Sequence, residues 1–182
     1  MRVISGRLGG RQLLAPKGWS VRPTSERVRE ALFSALGDVT GYRVADLYCG
    51  TGALGIEALS RGATSAVFVD SDTRPVMGNV HNLGLVEESE LVRGGAGDWL
   101  ASVAGRQLFD LILIDPPYRV TEEIGEALNR DLPGLLTPGG RVVVESAAKQ
   151  PLVLPSLEAV RERRYGRTLI TFFEVPSYEK RS

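Results

Sequence analysis

The chain has 182 residues, 43% of them hydrophobic, a single cysteine and no net charge at pH 7. That is enough material for one globular domain with a small appendage. No apolar run approaches the roughly 20 residues that span a bilayer, the basic N-terminus has no apolar core behind it as a secretory signal would, and Cys49 has no partner for an internal disulfide, so a cytoplasmic location is expected.

The zero net charge conceals an uneven distribution. Residues 1–30 carry seven basic side chains against two acidic, residues 31–140 seven against fifteen, and the remainder eight against five. An arginine-rich arm on an acidic body points to a polyanionic partner, because the guanidinium fork pairs with phosphate bidentately. An ordinary solvated basic segment has the same composition, so charge alone leaves both readings open.

Arg2 to Ser5 and Arg11 to Leu14 read as two short strands around Gly6, Gly9 and Gly10. Such a hairpin is too small to be stable unless it leans on a larger body. Pro16, Gly18 and Pro23 mark an irregular connection, and the expected division is an N-terminal extension over 1–22 and a main domain over 23–182. Thr24 or Ser25 then caps a helix running to about Leu36, with Gly37 after its end. Its apolar face is read as Val28, Ala31, Leu32, Ala35 and Leu36, which leaves Arg27 and Arg29 off that face and free for solvent or ligand.

Val44 to Gly55 is the stretch around which the rest is organised: an apolar strand, a turn with glycines at 50, 52 and 55, and a helix from Ala53 to Arg61. The pattern then alternates as α/β proteins do. Ser65 to Val69 is a strand ending at Asp70, Thr73 to about Gly84 a helix, and Glu90 to Arg93 a short strand. A brief helix is expected from Asp98 to Val103, a strand from Phe109 to Ile114, a helix capped by Thr121, and a strand from Arg141 to Glu145 after the turn at Pro138, Gly139 and Gly140. Leu157 to Arg164 and Thr168 to Val175 flank Tyr165, Gly166 and Arg167, and their β-branched and aromatic content favours a closing hairpin over another helix.

The glycine spacing fits the dinucleotide fingerprint, and Asp70 stands where an acid would grip ribose hydroxyls, with a helix cap before Thr73 as the alternative. A dinucleotide would set its pyrophosphate against this turn and the following helix N-terminus. Asp46, four residues before Gly50, would repel it, whereas a carboxylate suits a ligand that has no phosphate and carries an amino group. S-adenosylmethionine (SAM) is such a ligand; a nicotinamide or flavin nucleotide and a purely structural turn are the alternatives. Asp98 can accept from an adenine amine or cap its helix, and Trp99 can wall a pocket or fill the core.

Asp115-Pro116-Pro117-Tyr118 follows directly on an apolar strand, and ligands in open α/β sheets bind at the carboxyl ends of strands. A nucleobase amine attacks poorly because its lone pair is delocalised into the ring. Asp115 and the Pro116 carbonyl can each accept one of its hydrogens, Pro117 stiffens the turn and Tyr118 can stack on the base. His81 and Cys49 are single and far apart, so no metal is expected.

With these residues in place, the chain resembles the bacterial small-subunit ribosomal RNA guanine-N2 methyltransferases, the RsmD-like family. The resemblance rests on Met1-Arg2-Val3-Ile4-Ser5-Gly6 with Gly10-Arg11, on Arg22-Pro23-Thr24 with Arg27-Val28-Arg29-Glu30-Ala31-Leu32-Phe33, on Asp46 to Gly55, on Glu57 to Ala63 and on Asp115 to Tyr118. It implies the class I SAM-dependent methyltransferase fold, α/β, with a seven-stranded mostly parallel sheet that ends in an antiparallel hairpin and a small N-terminal β-hairpin extension. It also implies SAM as methyl donor and the exocyclic N2 of one guanine in small-subunit rRNA as acceptor, with no membrane partner. Arg22 and Thr24 would lie near the methionyl end of SAM, with Asp46, Cys49, Gly50, Thr51, Gly52, Asp70, Ser71, Asp98 and Trp99 as the remaining cofactor contacts. The N-terminal hairpin would help grip RNA through Arg2, Arg7, Arg11 and Lys17, with Arg27 beside it. A DNA adenine-N6 methyltransferase also uses Asp-Pro-Pro-Tyr, and a non-catalytic RNA-binding assembly factor would keep the fold without turnover; these are the competing readings.

Overall fold

The computed structural model describes residues 1–15, 26–116 and 122–176. Seven strands form one sheet: β1 (Arg43–Leu47), β2 (Ser65–Asp70), β3 (Ser89–Arg93), β4 (Phe109–Ile114), β5 (Leu136–Ala147), β6 (Glu158–Tyr165) and β7 (Thr168–Glu174). Their order across the sheet is β3-β2-β1-β4-β5-β7-β6. The first five are parallel, and β7 runs antiparallel to both β5 and β6. This is the arrangement implied by the resemblance. Because β1 lies between β2 and β4, the chain order reverses there, and in open α/β sheets the carboxyl ends of the strands at such a reversal are where ligands bind.

Parallel strands covered on both faces read as continuous apolar runs, as Leu111 to Ile114 does. One face packs against α1 (Glu26–Leu36), α2 (Ala53–Ser60) and α3 (Arg74–Leu83), together with Val3 and Leu13 of the N-terminal arm. The other packs against α4 (Ala96–Val103), α5 (Glu122–Asp131) and the segment holding Leu154 and Leu157. No described helix is long and apolar enough to cross a membrane.

The N-terminal hairpin is reduced to one bridge, Arg2 with Gln12, extended by backbone bonds from Val3 to Arg11 and from Leu13 to Met1. It leans on α2 through Gly6, where an added Cβ would sit 1.9 Å from the Ser60 carbonyl oxygen. Any other residue would push the arm off the helix.

Several expectations are corrected. Arg29 is not free for solvent: it is fully buried. The helical face omitted Phe33, and with it counted, positions 29, 32, 33 and 36 form the i, i+3, i+4, i+7 stripe that faces the core. The fifth strand begins at Leu136, five residues early. Pro138 to Gly140 lie within it, as an excursion between the Phe109–Leu136 and Leu111–Arg141 pairs. The α4 helix starts at Ala96 with Gly95 as its cap, so Asp98 sits in the first turn and does not cap it. The expected caps Thr24, Ser25 and Thr121 lie outside the described residues.

Candidate active site at the carboxyl ends of the parallel strands

Val69, Leu47 and Ile114 are neighbours in register across β2, β1 and β4, so the residues that follow them share one edge. After β1 the chain must turn at once into α2. Tyr48 takes a left-handed φ of 60°, Gly50 a φ of 53° and Gly52 a φ of 78°. Gly52 is obligatory: besides its φ, an added Cβ would lie 2.5 Å from a Val76 methyl. The Cys49 amide bonds the Val69 carbonyl at 3.2 Å, which ties the turn to the end of β2.

Two carboxylates brace this turn. Asp70 is half-buried; one oxygen accepts from the Gly50 amide at 2.9 Å and the other from the Asp72 amide at 3.0 Å. The alternative role for Asp70, capping of α3, is not what it does: Thr73 is the cap residue and makes no side-chain cap bond, and the Arg74 amide donates instead to Asp72 at 3.1 Å. Asp46 lies fully buried beneath the turn and accepts from the Gly55 amide at 2.8 Å. Burial pushes its pKa up to about 7; the Gly55 bond opposes this and the charge of Asp70 adds to it. A cation brought beside it would favour the ionised form, which makes Asp46 a fitting neighbour for an ammonium group.

Cys49 is buried and its thiol is driven to a high pKa by that burial, so it stays neutral and packs as a small apolar group. Thr51 is buried and offers its carbonyl inward, Ser71 is exposed with its hydroxyl 3.4 Å from Asp70, and Asp98 is exposed. Trp99 is 6% exposed and tilts against Phe109 at 5.7 Å between ring centroids, which seats it in the core. His81 lies exposed on α3.

Asp115 is half-buried, and its amide approaches the Leu47 carbonyl at 3.4 Å. The first residue past β4 is thus held beside the start of the glycine turn, with Pro116 buried behind it. Pro117, Tyr118, Arg22, Thr24 and Lys17 lie outside the described residues. Of the arm's cations, Arg2 pairs with Glu26 at 3.0 Å and Arg7 pairs with Glu88, while Arg11 and Arg27 are exposed without an ion pair among the described residues.

Two further groups join the arm to this site, and the sequence assigns neither of them a role. Asn79 is fully buried on α3: its amide donates to the carbonyls of Leu14, at 3.0 Å, and Thr51, at 2.9 Å, and its oxygen accepts from the Leu14 amide at 2.7 Å. The available signal was a polar residue on the 76, 79, 80, 83 face between Val76 and Val80. Glu57, fully buried on α2, accepts from the amides of Ile4 and Ser5 at 2.7 and 3.0 Å and from Arg61 at 2.8 Å, and lies 3.7 Å from Arg29. Arg29 in turn donates to the Arg2 carbonyl.

The geometry has counterparts among known proteins. The family model described as conserved hypothetical protein 95 matches residues 1–174. YlbH of Bacillus subtilis is 35% identical over 181 residues, 96% of this chain and 98% of the relative. Ribosomal RNA small subunit methyltransferase D of Escherichia coli is 30% identical over 96% of this chain and 89% of the relative. A solved structure of a Thermus thermophilus protein superposes with a TM-score of 0.82 at 30% identity, covering 96% of this chain and 99% of that one. With a match that runs from the arm through β7, the chain belongs to the conserved hypothetical protein 95 (RsmD) family.

Proposed function

We propose that this chain transfers the methyl group of SAM to the exocyclic N2 amine of a guanine in small-subunit ribosomal RNA, in the cytoplasm, with residues 1–22 as an RNA-contacting extension of a methyltransferase domain over 23–182. Membership of the family supports methyl transfer to rRNA, and the name of the Escherichia coli relative specifies the small subunit. The observation that carries the reading is the register of β1 with β4, which sets the half-buried Asp115 against the glycine turn braced by Asp46 and Asp70.

SAM, when bound, supplies a methyl group already activated by the positive sulfonium. The chain's task is therefore position and a preorganised acceptor field, which can be worth on the order of 7–11 kcal/mol. Asp46 favours an ammonium beside the buried end of β1, and Asp70 a hydroxyl pair at the end of β2. Asp115 accepts one hydrogen of the guanine amine and the Pro116 carbonyl the other, which turns the nitrogen lone pair out of the ring. Tyr118 stacks on the base to hold its plane, and the proton released from nitrogen leaves through the Asp115 carboxylate.

Incubation with methyl-labelled SAM and small ribosomal subunits that lack the modification, followed by nucleoside analysis, tests this. Label in N2-methylguanosine is the expected result. Label in N6-methyladenosine or in protein rejects the assignment, and no transfer alongside tight subunit binding favours the assembly-factor reading.

A further inference from the structure

The strand β6 is exposed along nearly its whole length, and it carries Arg161, Arg163 and Arg164, with Arg167 in the turn that follows. Among the described residues none of the four pairs with a carboxylate. Arg161 donates to the Ala35 carbonyl at 3.1 Å, Arg163 to the Glu162 carbonyl at 3.0 Å and Arg164 to the Gly166 carbonyl at 3.1 Å. In the arm, Arg2 and Arg7 are neutralised by Glu26 and Glu88, which leaves Arg11 as its one described arginine without an ion pair among the described residues.

Register locates these cations relative to the site. Ile114 pairs with Val144, Val144 with Thr171, and Thr171 with Glu162. Glu162 is therefore level with the end of β4, three strand spacings or about 14 Å across the sheet. Since β6 runs in the same direction as β5, Arg163, Arg164 and the turn stand beyond that level, on the side where Asp115 emerges. Tyr165, opposite Thr168 and so level with Ala147, is about 10 Å further on.

An exposed edge strand also needs charge to prevent pairing with other chains. That need is met by charge of either sign spread along the strand. Here three arginines gather at the end nearest the site, and no acidic residue follows Glu162 until Glu174.

We propose that the β6–β7 hairpin tip is a second RNA-docking surface, in which Arg163, Arg164 and Arg167 bind phosphates of the substrate RNA flanking the target guanine. The proposal rests on the rRNA reading above. A guanine must leave its stack to reach Asp115, which costs a few kcal/mol that binding elsewhere has to offset. Phosphate contacts on a rigid strand about 14 Å from the reacting edge provide this and fix the direction of the RNA without reading its sequence.

The test compares R163Q/R164Q/R167Q with the unmodified protein on small ribosomal subunits, alongside a control, R43Q/R106Q/R130Q, that removes equal charge elsewhere. The hairpin variant is expected to raise KM for subunits about tenfold or more at physiological salt, with kcat and SAM affinity within about twofold. Its plot of log(kcat/KM) against log salt should flatten by about 2, from roughly 0.7 per lost phosphate contact. R163K/R164K/R167K should recover most of the loss, and the control should lose none. An unchanged KM and salt slope overturns the proposal, as does an equal loss in the control, or self-association of the variant with KM unchanged. If the unmodified protein transfers no methyl group, the functional reading fails separately. The hairpin then stands or falls on whether the triple variant weakens subunit binding in sedimentation.

Discussion

At Asp46 the protein holds a carboxyl that burial drives towards its neutral form, with a pKa of about 7 against roughly 3.9 in an unfolded chain. Between those values the folded state keeps a proton that the unfolded state has released, so stability falls as pH rises. The contribution is fully present below about pH 4 and lost above about pH 7, on the order of 4 kcal/mol at most. Denaturant melts at pH 5 and pH 8 should show this decline, and Asp46→Asn, which mimics the neutral form, should flatten it; a parallel decline in the variant would contradict the assignment. The same substitution should weaken SAM binding if Asp46 faces its ammonium. Asp70 and Asp115 were legible in the sequence because each ends an apolar run at a strand tip, and Asp46 because it interrupts one four residues before Gly50. Their division of labour was not, since it depends on which amide each carboxylate meets.

Three helices hold the arm, each through a buried polar side chain: Arg29 of α1, Glu57 of α2 and Asn79 of α3. Arg29 has its pKa lowered, chiefly by burial, and it keeps Glu57 at 3.7 Å as its opposing charge. Removing one partner of such a pair leaves a buried charge uncompensated. Glu57→Gln should therefore cost about 3–5 kcal/mol. Arg29→Met should cost less, because Glu57 retains Arg61 and the two arm amides. Urea denaturation of both variants checks the order, and an equal or reversed cost would refute it. On α3, Asn79→Ala leaves the buried Thr51 carbonyl without its partner, at about 1–3 kcal/mol, and also frees the amide and carbonyl of the exposed Leu14, which water can satisfy. Hydrogen exchange should quicken at Leu14; unchanged protection there would show that Asn79 does not clasp the arm. Helix existence was readable from periodicity, whereas the buried Arg29 was not, because leaving Phe33 out rotated the apolar face away from it. A charged residue on a core stripe becomes intelligible only when its partner, here on a different helix, is known.

Across the whole molecule, alternating strands and helices identified a parallel sheet, and the β-branched and aromatic ending identified the closing hairpin; both follow from patterns of local sequence. Which basic residues face an RNA is a different matter. Composition pointed to the arm, but Arg2 and Arg7 meet Glu26 and Glu88, which lie 24 and 81 residues away in sequence. The hairpin arginines meet no acid among the described residues, and only the register shows that they stand on the side of the sheet where Asp115 emerges. In the proposed function, that edge presents a guanine amine to a methyl donor. Single-turnover methyl transfer to small subunits by Asp115→Asn, with SAM affinity measured in parallel, tests it most directly. The account predicts a rate loss of about 10²–10³ with SAM affinity nearly unchanged; a variant that methylates at the unmodified rate would contradict it.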